Sequence, residues 1–261
     1  MELFNINVQE FYSFFLTFIR IGTVVFMLPF FGAGTIPNSV KGALCFVMSL
    51  AVWPKLSFAG SLLPMDTVGL LLMFTGELLL GLVLNIIILL LFSAIQTGGF
   101  YMGFAMGFSM MNVLDPMSGV SESVTAQLFY QCAILIFLTI NGHLYLLQGL
   151  ADSFTLVKPG GLLLSPQLTG SLITFSAQIF ILAAKISAPI MVSLFLVDLA
   201  LALVSRAAPQ MNVLMVGFPL KIGVGFLFMT MVLTALGHFV TNYVLELGPM
   251  FRAAMQQIPG N

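Results

Sequence analysis

Charge is what this 261-residue sequence has least of: acidic and basic side chains together make up 7% of it, against about 25% in a soluble domain. A water-facing surface cannot be built from that supply, so the chain belongs in or against a bilayer, or inside an assembly that hides it. A net charge of −1 offers nothing to attract nucleic acid or an acidic substrate. The two cysteines, Cys45 and Cys132, both sit in apolar runs; they are too few for a disulfide framework and read as small apolar fillers. The two histidines, His143 and His238, are far apart and have no second ligand at metal spacing, so no metal site is expected. Sequences of the H-E-x-x-H, G-x-S-x-G, P-loop and complete G-x-G-x-x-G types are missing, and Gly119-Val120-Ser121 meets Ser123 where a glycine is needed. Neither an enzyme nor a cofactor is expected. His143, just after Asn141-Gly142, reads as a hydrogen-bonded packing residue.

What the chain has is apolar length. Hydrophobic residues make up 60% of it and the mean hydropathy is +1.12, which points to an all-α fold of long, partly kinked hydrophobic helical hairpins. The apolar segments are 11–31, 43–58, 68–97, 127–151, 171–205 and 212–245. A bilayer crossing takes about 20 apolar residues. The segments 68–97, 171–205 and 212–245 are far longer, so they must tilt, break or leave the membrane plane. Pro189 removes a backbone donor inside 171–205, and a kink is expected near Ser187. The short segment 43–58 ends at Trp53-Pro54-Lys55, which resembles an interfacial stop. Glu2 and Glu10 stand where a signal peptide would carry Lys or Arg, so the first segment is expected to be retained.

Turn-rich connections separate these segments: 31–38, a polar stretch at 112–126 with Asp115-Pro116, Lys158-Pro159-Gly160-Gly161, and Ala207-Ala208-Pro209-Gln210. Arg20, Glu77, Lys185 and Asp198 fall inside apolar segments, with Arg206 and Lys221 near segment ends. Each would cost roughly 2.5–3.5 kcal/mol at the centre of a lipid-facing helix. Snorkelling accommodates Arg206 and Lys221 more readily than Glu77 and Asp198. The better account is that these groups face protein or water, so much of the apolar surface meets other helices. Asp198 and Arg206 are eight residues apart, roughly 80° around a helix, which strains a direct pair. Lys and Arg are spread too thinly over the loops to set an orientation.

Residues 100–111 read Phe-Tyr-Met-Gly, Phe-Ala-Met-Gly, Phe-Ser-Met-Met. A period of four places Phe100, Phe104 and Phe108 on one helix stripe, Met102, Met106 and Met110 on a second, and Gly99, Gly103 and Gly107 on a third. The glycines admit a second helix backbone at close range, and methionine repacks around changing shapes. The residue before Pro116 disfavours helix, so the helix is expected to end at Asn112–Pro116. Tight packing and a deformable hydrophobic pore seal both remain open on these residues alone. So does a secondary transporter or ion channel using Glu77, Lys185 and Asp198 as buried charges, although no matching pair of interrupted segments occurs in the two halves.

Over nearly its whole length the chain resembles the FliR/SctT family of type III protein-export gates. The stretches that carry the resemblance are Leu28-Pro29-Phe30-Phe31-Gly32 with Ile36-Pro37, Met106-Gly107-Phe108-Ser109 followed by Asp115-Pro116, and Phe137-Leu138-Thr139-Ile140-Asn141-Gly142-His143, with Asp152-Ser153-Phe154 beyond. Ala188-Pro189, Pro209-Gln210-Met211-Asn212 and Pro219-Leu220-Lys221 are similar to landmarks of the two-helix partner FliQ. The resemblance implies a FliP-like part at 1–170 and a FliQ-like hairpin at 171–261. It further implies a bacterial inner-membrane gate in the flagellar basal body, partly above the bilayer plane on the periplasmic side. Implied partners are FliP-, FliQ- and FlhB-type subunits, membrane lipid, and export substrates and rod proteins in transit. The family's plug maps onto about 106–122, making Met106, Phe108, Met110, Met111, Val113, Asp115 and Pro116 the candidates for the seal. Glu77, Lys185, Asp198, Arg206, Gln210, Asn212 and Lys221 become candidates for polar contacts between subunits.

Overall fold

The computed structural model describes residues 8–32, 36–56, 66–108, 123–157 and 166–257. All regular structure among them is helical: α1 (Val8–Met27), α2 (Pro29–Gly32), α3 (Asn38–Leu56), α4 (Thr67–Met106), α5 (Val124–Thr139), α6 (Gly142–Leu156), α7 (Pro166–Ala207) and α8 (Val213–Gln256). Polar residues mark several of the starts. Asp66 precedes α4 and accepts from the Gly69 amide through Oδ2 at 3.0 Å. Asn212 does the same for α8, accepting from the Met215 amide at 3.3 Å; both are N-caps that satisfy an otherwise orphaned donor. The apolar segment 127–151 is broken: Asn141 takes the left-handed conformation with φ 58°, which asparagine tolerates better than most residues. A new helix begins at the following glycine.

Among the described residues four helices are long and apolar enough to cross a membrane, within Glu10–Met27, Thr67–Met106, Thr169–Ala207 and Met215–Gln256; the α5–α6 pair makes a fifth if it is one broken span. With 40, 42 and 44 residues, α4, α7 and α8 are about 60 to 66 Å long, against about 30 Å of hydrocarbon. Their environments differ. Over an apolar 18-residue stretch of each helix, 67% of the α4 residues are buried within this chain, but only 17% in α7 and 22% in α8. α7 continues through Pro189, and α3 continues through Pro54 to Leu56.

The chain forms two compact units, each discontinuous in sequence: residues 1–89, 141–175 and 244–261, and residues 90–140 and 176–243. In the first, Phe14 of α1 meets Phe46 and Trp53 of α3 edge to face, at centroid distances of 5.6 and 5.9 Å. The Trp53 indole N–H donates to Ser13 Oγ at 3.2 Å, so this tryptophan is committed to α1. In the second, Phe92 of α4 lies against Tyr130 and Phe137 of α5. The buried Asn85 side-chain amide and His143 Nδ1 have no hydrogen-bond partner among the described residues, against the hydrogen-bonded packing role expected for His143.

Candidate functional site at the end of the repeat

Three faces of the α4 repeat meet three environments in the second unit. The glycine face receives α5. A Cβ on Gly99 would come within 2.8 Å of Ala126 Cα, and one on Gly103 would collide with Thr125 Oγ1 and Ser123 Oγ. With no Cβ there, the Thr125 hydroxyl donates to the Gly99 carbonyl at 2.8 Å. The methionine face is interior: Met102 and Met106 are both fully buried, and the Met106 thioether occupies the space a Cβ on Gly225 of α8 would need. The phenylalanine face points outward, with Phe100 and Phe104 at 47% and 65% exposure.

The helix ends earlier than the proline suggested. Gly107 adopts φ +91°, a conformation glycine takes without a Cβ penalty. Its amide donates to the Phe104 carbonyl at 3.1 Å, and the Phe108 amide donates to the Gly103 carbonyl at 3.0 Å. This is a Schellman stop, and it corrects the expectation that helix runs to Asn112–Pro116. Phe108 therefore leaves the stripe of Phe100 and Phe104 and meets the ring of Phe226 on α8 at 6.5 Å, while Phe218 lies under Gly107. Met110, Met111, Val113, Asp115 and Pro116 lie outside the described residues.

The charges of the apolar segments resolve, among the described residues, into two pairs and two single cations. Lys221 Nζ of α8 meets Asp198 Oδ1 of α7 at 2.5 Å, with the aspartate half exposed. The pair borders a cavity of about 260 Å³ walled by Leu201, Gly217 and Phe218. Arg206 and Gln210 are exposed at the tip of this hairpin, and the side chain of Asn212 caps α8. Lys185 is exposed on α7; neither it nor Arg206 has an ion pair among the described residues.

The second pair is interior to the first unit. The Arg20 guanidinium is fully buried, and every N–H it owns is spent. Nε donates to Glu77 Oε2 at 2.5 Å and Nη2 to Glu77 Oε1 at 3.0 Å; Nη1 donates to Ser153 O and Oγ, and Nη2 to Val157 O at 3.2 Å. Five donors find five acceptors, which a buried guanidinium requires. The carbonyls belong to the last turn of α6 and the residue after it, so Arg20 also neutralises the negative end of that helix. Phe154 adds its ring 4.3 Å from the guanidinium carbon. Gly81, one turn after Glu77, faces Thr23 and the Arg20 carbonyl, which lets α1 and α4 approach closely enough for the fork. Sequence reasoning marked Arg20 and Glu77 as anomalies but not as partners; two buried opposite charges were the available signal, and Ser153 carried none. Burial pushes the Cys45 thiol in α3 above its ordinary pKa, in keeping with a packing role.

The family described as bacterial export proteins, family 1, matches residues 11–247. The flagellar biosynthetic protein FliR of Bacillus subtilis (strain 168) is 35% identical over 242 residues, covering 91% of this chain and 92% of the relative. FliR of Escherichia coli (strain K12) is 27% identical, covering 94% of both. The surface presentation of antigens protein SpaR of Salmonella typhimurium is 27% identical, covering 82% of this chain and 80% of the relative. A family match over most of the sequence, together with a 35% identical relative aligned almost end to end, establishes that this chain belongs to family 1 of the bacterial export proteins.

Proposed function

We propose that this chain is a subunit of the flagellar type III protein-export apparatus of the bacterial inner membrane, a channel component and not an enzyme. The near full-length similarity to proteins named FliR carries this reading, and the helices long and apolar enough to cross a membrane agree with it. Such a subunit works beside other export-gate components, which we take to be FliP-, FliQ- and FlhB-type chains. The first 170 residues would stand in for a FliP-type unit and the remainder for a FliQ-type hairpin, with part of the gate on the periplasmic side. The weakly buried α7 and α8 support this, because their outer faces need a cover that this chain does not supply.

The plug reading rests on the end of α4. A Schellman stop fixes the point where the chain leaves the helix, and Met106 and Phe108 are anchored there on α8. The segment to about residue 122 would then close the passage for unfolded substrates, with Met110, Met111 and Val113 as the apolar seal and Asp115-Pro116 beyond it. Asp198, Arg206, Gln210, Asn212 and Lys221 remain our candidates for subunit contacts. Glu77 we assign to the interior, because Arg20 engages both its oxygens. The same engagement disfavours the ion-carrier alternative, which needs a carboxylate free to exchange its partner.

Co-expression with FliP- and FliQ-type proteins, followed by native mass spectrometry, tests membership. One particle containing all three is expected; a lone monomer that ignores both would overturn the assignment. Deleting 110–116 tests the seal: the particle should still assemble but pass small ions in vesicles, and an assembled, ion-tight variant would move the seal elsewhere.

A further inference from the structure

The second unit has a cavity of about 280 Å³ on the groove between α7 and α8, walled by Ile186, Pro189, Met231, Ala235 and Phe239 and bordered by Lys185. The wall is hydrocarbon and aromatic; Lys185 alone brings charge. The one acidic residue among the described residues of this unit is Asp198, and Lys221 already engages it. The cation therefore has no counterion among the described residues of this unit, on a helix whose surface is largely uncovered. Pro189 adds a second polar group. It has no N–H to give the carbonyl four residues earlier, which is that of Lys185, so this acceptor lacks its ordinary helical donor.

One apolar cavity, one ammonium with no ion pair among the described residues and one underused carbonyl fit a ligand with an acidic head and a hydrocarbon body. We propose that this groove is a binding site for an acidic phospholipid, with Lys185 on the phosphate, the Lys185 carbonyl on a headgroup hydroxyl, and an acyl chain between Pro189 and Phe239. The bilayer is the source because the outer faces beside the groove are apolar along both helices, including Phe180, Met191, Val192, Leu227 and Met231. This proposal is independent of the export reading and concerns the chain in any membrane.

The test is native mass spectrometry of the delipidated full-length chain titrated with phosphatidylglycerol or phosphatidylcholine. Wild type is expected to bind the acidic lipid about tenfold more tightly, the size of one charge-assisted contact. Lys185→Gln should remove most of this preference, and Ala235→Phe should weaken both by filling the cavity. Arg206→Gln, which removes the other unpaired cation of this unit, should keep the preference. A wild type without preference, a Lys185→Gln variant that keeps it in full, or an Arg206→Gln variant that loses it equally would overturn the proposal. So would a preference seen in the lone chain but abolished in the particle assembled with its export partners, which would give Lys185 to a carboxylate on a neighbouring helix. Retention of phosphatidylglycerol by the assembled particle, lost with Lys185→Gln, would support the lipid site there.

Discussion

Replacing Glu77 with glutamine keeps the shape of the buried Arg20 cluster but removes its negative charge and turns one of the two acceptor oxygens into an NH2 donor facing the guanidinium. The fully buried guanidinium then loses its counter-charge and one of its five acceptors together. The Ser153 and Val157 carbonyls and the Phe154 ring remain, but they supply only partial charges. Breaking one side of a buried pair in this way costs about 3–5 kcal/mol, a large fraction of the roughly 5–15 kcal/mol that holds a domain folded. At roughly 2–4 °C per kcal/mol for a chain of this size, the transition should fall by about 6–20 °C. The readout is built in: Trp53 is the single tryptophan and packs on Phe14 and Ser13 in the same unit. Its fluorescence during thermal unfolding in detergent therefore follows the region perturbed. The double variant Arg20→Met with Glu77→Met should recover more than half of the loss, since two apolar side chains leave no charge buried. An unchanged midpoint in Glu77→Gln, or a double variant worse than either single, would refute this account.

Two further outcomes follow from the packing. Gly103→Ala should destabilise by about 1–3 kcal/mol, because its Cβ displaces Thr125 and Ser123. Gly22→Ala, where a Cβ meets nothing, should be neutral or stabilising by up to about 1 kcal/mol; helical circular dichroism melts compare the two, and equal effects would argue against close approach at Gly103. Maleimide labelling in native membranes should modify the half-buried Cys132 first and Cys45 only after denaturation, since burial both blocks the thiol and keeps it protonated; early labelling of Cys45 would contradict its packing.

The helices were legible because long apolar runs with this little charge leave few other solutions. Their ends were legible only where the punctuation was unambiguous. Asn141-Gly142 broke the chain where such a pair should, but the stop of α4 was hidden. Gly107 is the third member of a glycine repeat, and nothing in the sequence distinguishes a packing glycine from one with positive φ; Pro116 drew the boundary outward. At α3 the helix starts at Asn38, earlier than the apolar run at 43, because Pro37 supplies a free carbonyl to the amides of Val40 and Lys41. The chemistry of the repeat could be read as three stripes, but which stripe faces inward depends on α5 and α8, which are distant in sequence. The charges gave up least. Arg20 and Glu77 are separated by 57 residues and Arg20 and Ser153 by 133, and no local pattern connects them.

That separation has a consequence for biogenesis. A ribosome delivers Arg20 to the membrane long before Glu77, and Glu77 well before Ser153 and Val157. Until the first 157 residues have been made, the guanidinium cannot have its full set of acceptors, and α1 carries an uncompensated cation among apolar side chains. The amino-terminal helix is therefore a poor independent insertion unit and settles only when later segments arrive to receive its arginine. Closure of this cluster is a late event of synthesis, and a chain truncated before Ser153 should present to the cell's quality control an arginine that the complete protein hides.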